Sequence, residues 1–195
     1  MILLSFEVPD EEFKRAYNAL QHIHGGAPKA IMRALNHAAY KARKEAVEAV
    51  CANYAVKPAE VRRTMVIKRA TPNNLLCEII SEGSPRPLIK FNVNPKKPPV
   101  QSGKRISQRK KIVAGVKFGV QKALPFAFIA KLDNGHIGVF SRKEGKSLPI
   151  KQRYSLSIPQ AFGNDSIREF LLGQAIMNFS VELDRQIDLI LGGGK

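Results

Sequence analysis

The sequence contains no tryptophan, only two cysteines, and a single acidic residue between Gly83 and Lys143. Cys51 and Cys77 lie far apart without a paired spacing, which favours two buried free thiols over a disulfide framework or a zinc site. No stretch approaches the roughly 18 apolar residues that a membrane-spanning helix needs. The start, MILLSFEVPDEEF, lacks the basic residues that open a signal peptide. We therefore expect the protein to fold in the cytoplasm.

The shortage of acidic residues also limits the chemistry of the chain. Metal-assisted phosphoryl transfer requires clustered carboxylates to hold the cation, and the stretch from Gly83 to Lys143 offers only Asp133. His22 and His24 form a His-x-His pair for which no third ligand is evident. We predict no metal site and no cofactor.

A histidine between glycines, in GHIGVFSRKEGKSLPI (135–150), could belong to a catalytic loop or a phosphate cradle. His136 would need a nucleophile and an orienting acid, which the neighbouring residues do not supply. A phosphate cradle would need a helix directly after the loop, or a Gly-Lys-Ser/Thr motif, and neither follows. We interpret the stretch as architecture and predict no catalytic residue and no enzymatic activity.

Positive charge dominates the composition. The 195 residues include 32 Lys and Arg against 16 Asp and Glu, a formal net charge of +16, which predicts attraction to polyanions. Eleven of the basic residues and no acidic residue fall between Arg86 and Lys122, whereas acidic residues predominate from Asp165 onward. The charge is therefore distributed unevenly along the chain.

Residues 94–111 form the centre of this basic stretch and are rich in Pro, Ser and Gly, which predicts an extended loop within the domain. Such a loop could be merely solvated, or it could contact DNA or an acidic protein. Only Phe91 and Phe118 flank it, so phosphate or protein contact is favoured over base stacking. The predicted polyanion contacts are Lys96, Lys97, Lys104, Arg105, Arg109, Lys110 and Lys111.

Hydrophobic periodicity predicts a single α+β domain over residues 1–195, with a mostly antiparallel sheet packed with two long helices. One helix lies in the N-terminal half, from about Pro28 to Tyr54, and one is C-terminal with Asn164 or Asp165 as N-cap. Between them, β-branched and aromatic runs predict strands at 65–71, 75–82, 88–93, 112–120, 126–132 and 136–142, after a first strand at 2–8.

Both long helices carry a stripe that indicates a packing face. The stripe of the first consists of small residues and that of the second of large apolar residues. Their members are Ala34, Ala38, Ala42, Ala46 and Ala49 in the first, and Leu172, Ile176, Phe179, Leu183, Ile187 and Ile190 in the second. The exposed side of the first helix is basic, with Lys29, Arg33, Lys41, Arg43 and Lys44.

Asp133-Asn134-Gly135 predicts a tight hairpin turn, because Asn and Gly tolerate positive φ. Gly138 then allows a close approach or a bulge. We predict that four residues are critical for the fold: Gly135, Gly138, Pro149 and Pro159.

Two blocks of short motifs occur in a fixed order along the chain. The C-terminal block contains PFAFIA (125–130), GHIGVF (135–140), Arg142, Gly145, LPI (148–150), Tyr154 and SIPQ (157–160). The N-terminal block contains ALN (34–36), KAR (41–43), YAVKP (54–58) and VR (61–62). Together they resemble the prophage minor tail protein Z family of long-tailed phages, and the resemblance covers most of the chain from about Ala30 to the last helix. Ser155-Leu156 replaces an expected Gly-Pro.

The resemblance implies a non-enzymatic virion component that completes the tail at the end facing the head and assists head-to-tail joining. It implies a homo-oligomeric ring, contacts with other tail and neck proteins, and location first in the host cytoplasm and then in the virion tail. A ring threaded by double-stranded DNA would explain basic residues that contact phosphate without sequence preference. Two alternatives are a free, sequence-nonspecific nucleic-acid-binding protein, which the net charge alone supports, and an enzyme on a polyanion, against which the missing acids argue.

Overall fold

The two long helices form where the periodicity predicts them. The computed structural model describes residues 2–98, 111–142 and 148–193. Within these residues the helices are α1 (Asp10–Ala19), α2 (Gly26–Asn53), α3 (Pro58–Arg63), α4 (Ile158–Phe162) and α5 (Asp165–Leu191). Pro28 lies in the first turn of α2, where its missing N–H costs no helical hydrogen bond. Asn164 caps α5 by accepting a hydrogen bond from the Ser166 backbone N–H.

The described strands pair antiparallel throughout, which confirms the predicted α+β class. They are β1 (Ile2–Phe6), β2 (Met65–Lys68), β3 (Cys77–Ser81), β4 (Arg86–Pro87), β5 (Asn92–Asn94), β6 (Ile112–Gly115), β7 (Lys122–Leu124), β8 (Ala127–Lys131), β9 (Ile137–Arg142), β10 (Ile150–Gln152) and β11 (Tyr154–Ser155). The described strands form small sheets in the orders β1-β3-β2, β5-β6-β7, β10-β9-β8 and β11-β4.

Two strand predictions were wrong in detail. The predicted strand 88–93 begins instead with a 3-10 turn at Leu88–Lys90, and only Asn92–Asn94 is extended. The predicted strand 112–120 stops at Gly115, because the chain turns through Gly119 at φ +74° and returns as β7. Composition could not distinguish one long strand from a tight hairpin, since both arms carry strand-forming residues.

Helices α2 and α5 make the most extensive contact between any two elements. Four of the five predicted alanines of α2 are buried: Ala34, Ala38, Ala42 and Ala46. Ala49 is half-buried. Small side chains allow the two helix axes to approach closely, so the stripe acts as the predicted packing face.

The apolar stripe of α5 was predicted with one clear error. Ile176 is 52% exposed, and it lies outside the buried face. The buried face instead follows a strict spacing of four: Ile167, Leu171, Ala175, Phe179, Leu183 and Ile187. Because 3.6 residues make one turn, a spacing of four shifts the buried face by about 40° at each step, so this face winds around α5.

Two hydrophobic clusters divide the described core. The larger joins the helices to β1, β2 and β3, and the smaller lies among β5, β6, β8 and β9 around Phe91, Ile129 and Val139. Val56 and Val116 contact both clusters. The backbone reinforces this junction, since Ala55 N–H donates to the Val116 carbonyl at 3.0 Å and Phe118 N–H to the Asn53 carbonyl at 3.0 Å.

One buried carboxylate contacts side chains of both long helices. Glu182 on α5 accepts hydrogen bonds from Arg185 and Gln186 at 2.8 Å, and its Oε2 lies 3.4 Å from His37 Nδ1 on α2. The hydrogen bond from Arg185 is the main reason that the pKa of Glu182 lies below its ordinary value, although burial acts in the opposite direction.

Glu182→Gln should therefore destabilise the protein by about 1–2 kcal/mol at neutral pH, because the partners of a buried carboxylate lose a charged acceptor. A carboxyl whose folded pKa is lowered contributes stability above its unfolded pKa, and that stability is lost as the pH falls. The difference between the two proteins in urea-unfolding free energy should shrink as the pH drops through 4.5. A difference independent of pH would contradict this role for the charge.

The predicted fold-critical residues lie in distinct surroundings. Gly135 closes the hairpin at φ +81°, and its N–H donates to the Leu132 carbonyl at 2.8 Å. A Cβ at Gly138 would meet the Phe140 ring at 3.0 Å. Pro159 is buried in the first turn of α4, whereas Pro149 is exposed just before β10. The SIPQ motif is a capping box, since Ser157 and Gln160 bond to each other's backbone N–H.

Gly138→Val should cost about 2 kcal/mol, because the Phe140 ring must leave its place over the glycine. The matched control is Gly173→Ala, in the exposed middle of α5 with nothing near the added methyl, which should stabilise by about 0.5–1 kcal/mol. Thermal unfolding of both variants provides the measurement. Equal stabilities for Gly138→Val and the wild type would show that the close approach is not needed.

Candidate polyanion-binding surface

The strand registers bring one set of strand ends together. Asn94 pairs with Val113 and Ile112 with Leu124, so the end of β5, the start of β6 and the end of β7 are neighbours. Pro125 and Phe126 connect β7 to β8, whose first residue pairs with Ser141 near the end of β9. We call this end of the strands the β tip, comprising Lys96, Lys97, Lys111, Pro125, Phe126, Arg142, Leu148 and Pro149.

Three of the seven predicted polyanion contacts belong to the β tip. Lys96, Lys97 and Lys111 are all exposed, and none forms an ion pair within the described residues. Arg142 adds a fourth exposed cation, with its guanidinium 5.4 Å from the Phe128 ring centroid. The remaining predicted contacts lie outside the described residues: Lys104, Arg105, Arg109 and Lys110.

The described part of the β tip carries positive charge without a compensating carboxylate. Asp133, the single acidic residue between Gly83 and Lys143, lies in the hairpin at the opposite end of β8 and β9. Like charges that cluster without counterions create a field that attracts phosphate over roughly a Debye length, about 8 Å at physiological salt. The β tip can therefore hold a polyanion by simple electrostatics.

Other basic residues of the 86–122 stretch do not belong to the β tip. Arg86 is mostly buried and pairs with Glu60 at 2.5 Å, which links β4 to α3. Burial would raise the pKa of Glu60, but the hydrogen bond and charge of Arg86 outweigh it and the pKa is lowered. Lys117 lies 5.5 Å from the Tyr54 ring centroid, at the other end of β6. The clustering of basic residues along the sequence therefore suggests a larger cationic surface than the described structure forms.

Some basic residues of α2 contact other side chains of the fold. Arg33 donates to Gln186 and Lys41 to Asn178, both at 3.4 Å, so these two cations bridge α2 to α5. Arg43 packs over the Tyr40 ring at 5.3 Å. Lys29 and Lys44 are exposed. The face is less available to a polyanion than its composition predicts.

One residue of the β tip was not singled out from the sequence. Phe126 is 90% exposed and has φ +60°, a backbone conformation that a non-glycine residue rarely adopts. Its aromatic ring predicts a strand from residue 126 onward, and this boundary was wrong, because Phe126 lies in the turn before β8 (Ala127–Lys131). Pro125 before it was the available signal, since Pro at the second position of a turn commonly precedes a residue with positive φ.

The described residues show no grouping of side chains that would hold a metal ion. His22 and His24 lie in the exposed turn between α1 and α2, and His136 lies on the hairpin with its backbone N–H donating to Asn134 Oδ1 at 3.0 Å. Cys51 and Cys77 are free, and burial raises the pKa of both thiols. In the described part of the chain, no helix is both long and apolar enough to cross a membrane.

The α+β fold and the cationic β tip define a class of basic proteins suited to contact with polyanions or acidic surfaces. A family model specifies the protein further. The model for prophage minor tail protein Z (GPZ) matches residues 12–191, so the chain belongs to this family of structural phage tail proteins. The family is not known for enzymatic activity. No curated protein and no solved structure matches the chain significantly.

Phe126→Asn should stabilise the protein by about 1 kcal/mol, because Asn tolerates positive φ and an exposed ring loses little by removal. Phe126→Ala is the matched control, since it removes the ring and keeps the unfavourable backbone conformation. Urea unfolding should rank Asn above both Ala and the wild type. If Asn and Ala are equally stable, the backbone of Phe126 is not strained.

Proposed function

We propose that this minor tail protein completes the tail at the end facing the phage head. Several copies form a ring there, contact other tail and neck proteins, and assist head-to-tail joining. The protein assembles in the host cytoplasm and remains in the virion tail. Membership in a structural tail family supports the tail role.

Within that ring, the β tip contacts the backbone of double-stranded DNA. The observation that carries this step is the convergence of Lys96, Lys97, Lys111 and Arg142 on one end of the strands, without a carboxylate among the described residues there. Lysines on flexible stems bind phosphate as point charges and need no base sequence. The proposed contact also includes Lys104, Arg105, Arg109 and Lys110, which lie in sequence between Lys97 and Lys111 and outside the described residues.

The test is the salt dependence of binding to a duplex of random sequence. The test variant replaces all seven predicted contacts, Lys96 to Lys111, with Gln. Each lost phosphate contact should lower the slope of log K against log salt by about 0.9. Thermal stability should change little, because exposed charges contribute little to it.

A charge-matched control separates a local contact from bulk attraction. It carries seven Gln substitutions at exposed cations away from the β tip: Lys14, Lys29, Lys44, Lys57, Arg62, Arg63 and Lys68. A slope that falls only in the tip variant supports DNA contact there. An equal loss of slope in both variants would favour a free, nonspecific nucleic-acid-binding protein that acts through its net charge. Weak DNA binding by the wild type would indicate that the β tip contacts a protein instead.

A further inference from the structure

A groove lies near the β6–β7 hairpin, at the end of the hairpin that is farther from the β tip. The C-terminal half of α2, the start of α5 and Lys117 enclose it, with a volume of about 660 Å³. Apolar side chains form much of its wall, including Ala52, Ile167 and the half-exposed Phe170. This volume exceeds what a single aromatic side chain needs, so the groove can accept a ring together with part of the turn that carries it.

The groove has an acidic rim. Glu45 accepts a hydrogen bond from Asn178 through Oε1 at 3.3 Å, while its buried Oε2 has no donor among the described residues. Glu48 is exposed, and its Oε1 lies 3.9 Å from Lys44 Nζ, too far for a hydrogen bond. Among the residues that line the groove, these two carboxylates face a single cation, Lys117, while Lys44 lies beside Glu48 outside the groove.

The β tip has the complementary shape and charge. Phe126 extends almost fully into solvent, and the registers place it between Lys111 on one side and Arg142 on the other. Leu148, 71% exposed, precedes β10 at the same end of the β10-β9-β8 sheet. An exposed ring flanked by two cations fits an apolar groove flanked by two carboxylates.

Groove and tip of one chain cannot meet. Lys117 borders the groove and follows β6, whereas Phe126 lies beyond the opposite end of β6 and β7. Four strand residues separate these ends by about 13 Å, in a hairpin whose register holds them apart. A contact between them must therefore join two copies, and because it uses two different surfaces it repeats from copy to copy.

We propose that Phe126 of one copy inserts into the groove between α2 and α5 of the next copy, with Arg142 and Lys111 facing Glu45 and Glu48. This inference deepens the proposed function, since it rests on the copies forming a ring and names the surfaces that join them. Lys111 and Arg142 are then occupied by the neighbouring copy, so in the assembled ring the described cations left for the DNA contact are Lys96 and Lys97. The unfavourable backbone of Phe126 is explained as the cost of presenting the ring to a neighbour.

The decisive experiment places the photoreactive amino acid p-benzoyl-phenylalanine at position 126 of the full-length protein. Irradiation at high protein concentration should give covalent dimers, and mass spectrometry should map the cross-links to peptides that contain residues 45–54 or 164–170. The control carries the same amino acid in place of Val66, which is exposed on β2, and should give no such dimers. Monomers only, or cross-links to any other surface, would overturn the proposal.

Variants test the same contact without a probe. Phe126→Asn should remain folded and raise the dissociation constant between copies at least about tenfold, as loss of a central aromatic anchor does. Glu45→Gln combined with Glu48→Gln should weaken association and reduce its salt dependence. Sedimentation velocity gives the constants, and melting temperatures confirm that both variants are folded. Unchanged association in Phe126→Asn would contradict the proposal.

The two proposals fail separately. Phe126→Asn should leave the salt slope for DNA binding intact, and a tip variant that keeps Lys111 and replaces the other six predicted contacts with Gln should flatten that slope without weakening association between copies. Cross-linking into the groove without any salt-dependent DNA binding would keep the interface and remove the DNA contact. Salt-dependent DNA binding by a protein that never cross-links through position 126 would keep the DNA contact and remove the interface.

Discussion

The close contact between α2 and α5 is the constraint on which the rest of the structure depends. Buried alanines on α2 and the buried apolar residues of α5 let the two longest helices lie against each other. Glu182 then holds a fixed position across the pair through its bonds to Arg185 and Gln186 and its contact with His37. Other parts of the fold are connected to the ends of this helix pair.

The β5–β10 region is attached at one such end. Backbone hydrogen bonds from residues 53–55 to 116–118, together with Val56 and Val116, join the two hydrophobic clusters at the C-terminus of α2. The same junction forms one wall of the groove, while the β tip projects from the opposite end of the strands. A molecule with an acidic, apolar groove at one place and a basic, aromatic tip at another has the asymmetry that repeated head-to-tail contacts require.

Much of the fold was predictable because it depends on local signals. The alanine stripe, the Asn164 cap and the Asp133–Gly135 turn each depend on a few neighbouring residues, and each is present. The errors have a different origin. Ile176 is apolar and fits a helical stripe, but which flank of α5 is buried depends on the path of α2. The strand predicted at 112–120 is interrupted by a turn whose residues also suit a strand.

The sequence by itself determined the antiparallel α+β class, the excess of positive charge, the shortage of acids in its centre and membership in a tail protein family, because these follow from composition and from ordered motifs. Only the tertiary structure decided which cations are free. Arg86 is paired with Glu60, while Lys96, Lys97 and Lys111 converge with Arg142 and Phe126. The physical reason is strand register, which joins residues distant in sequence and leaves no mark in the composition of any one segment.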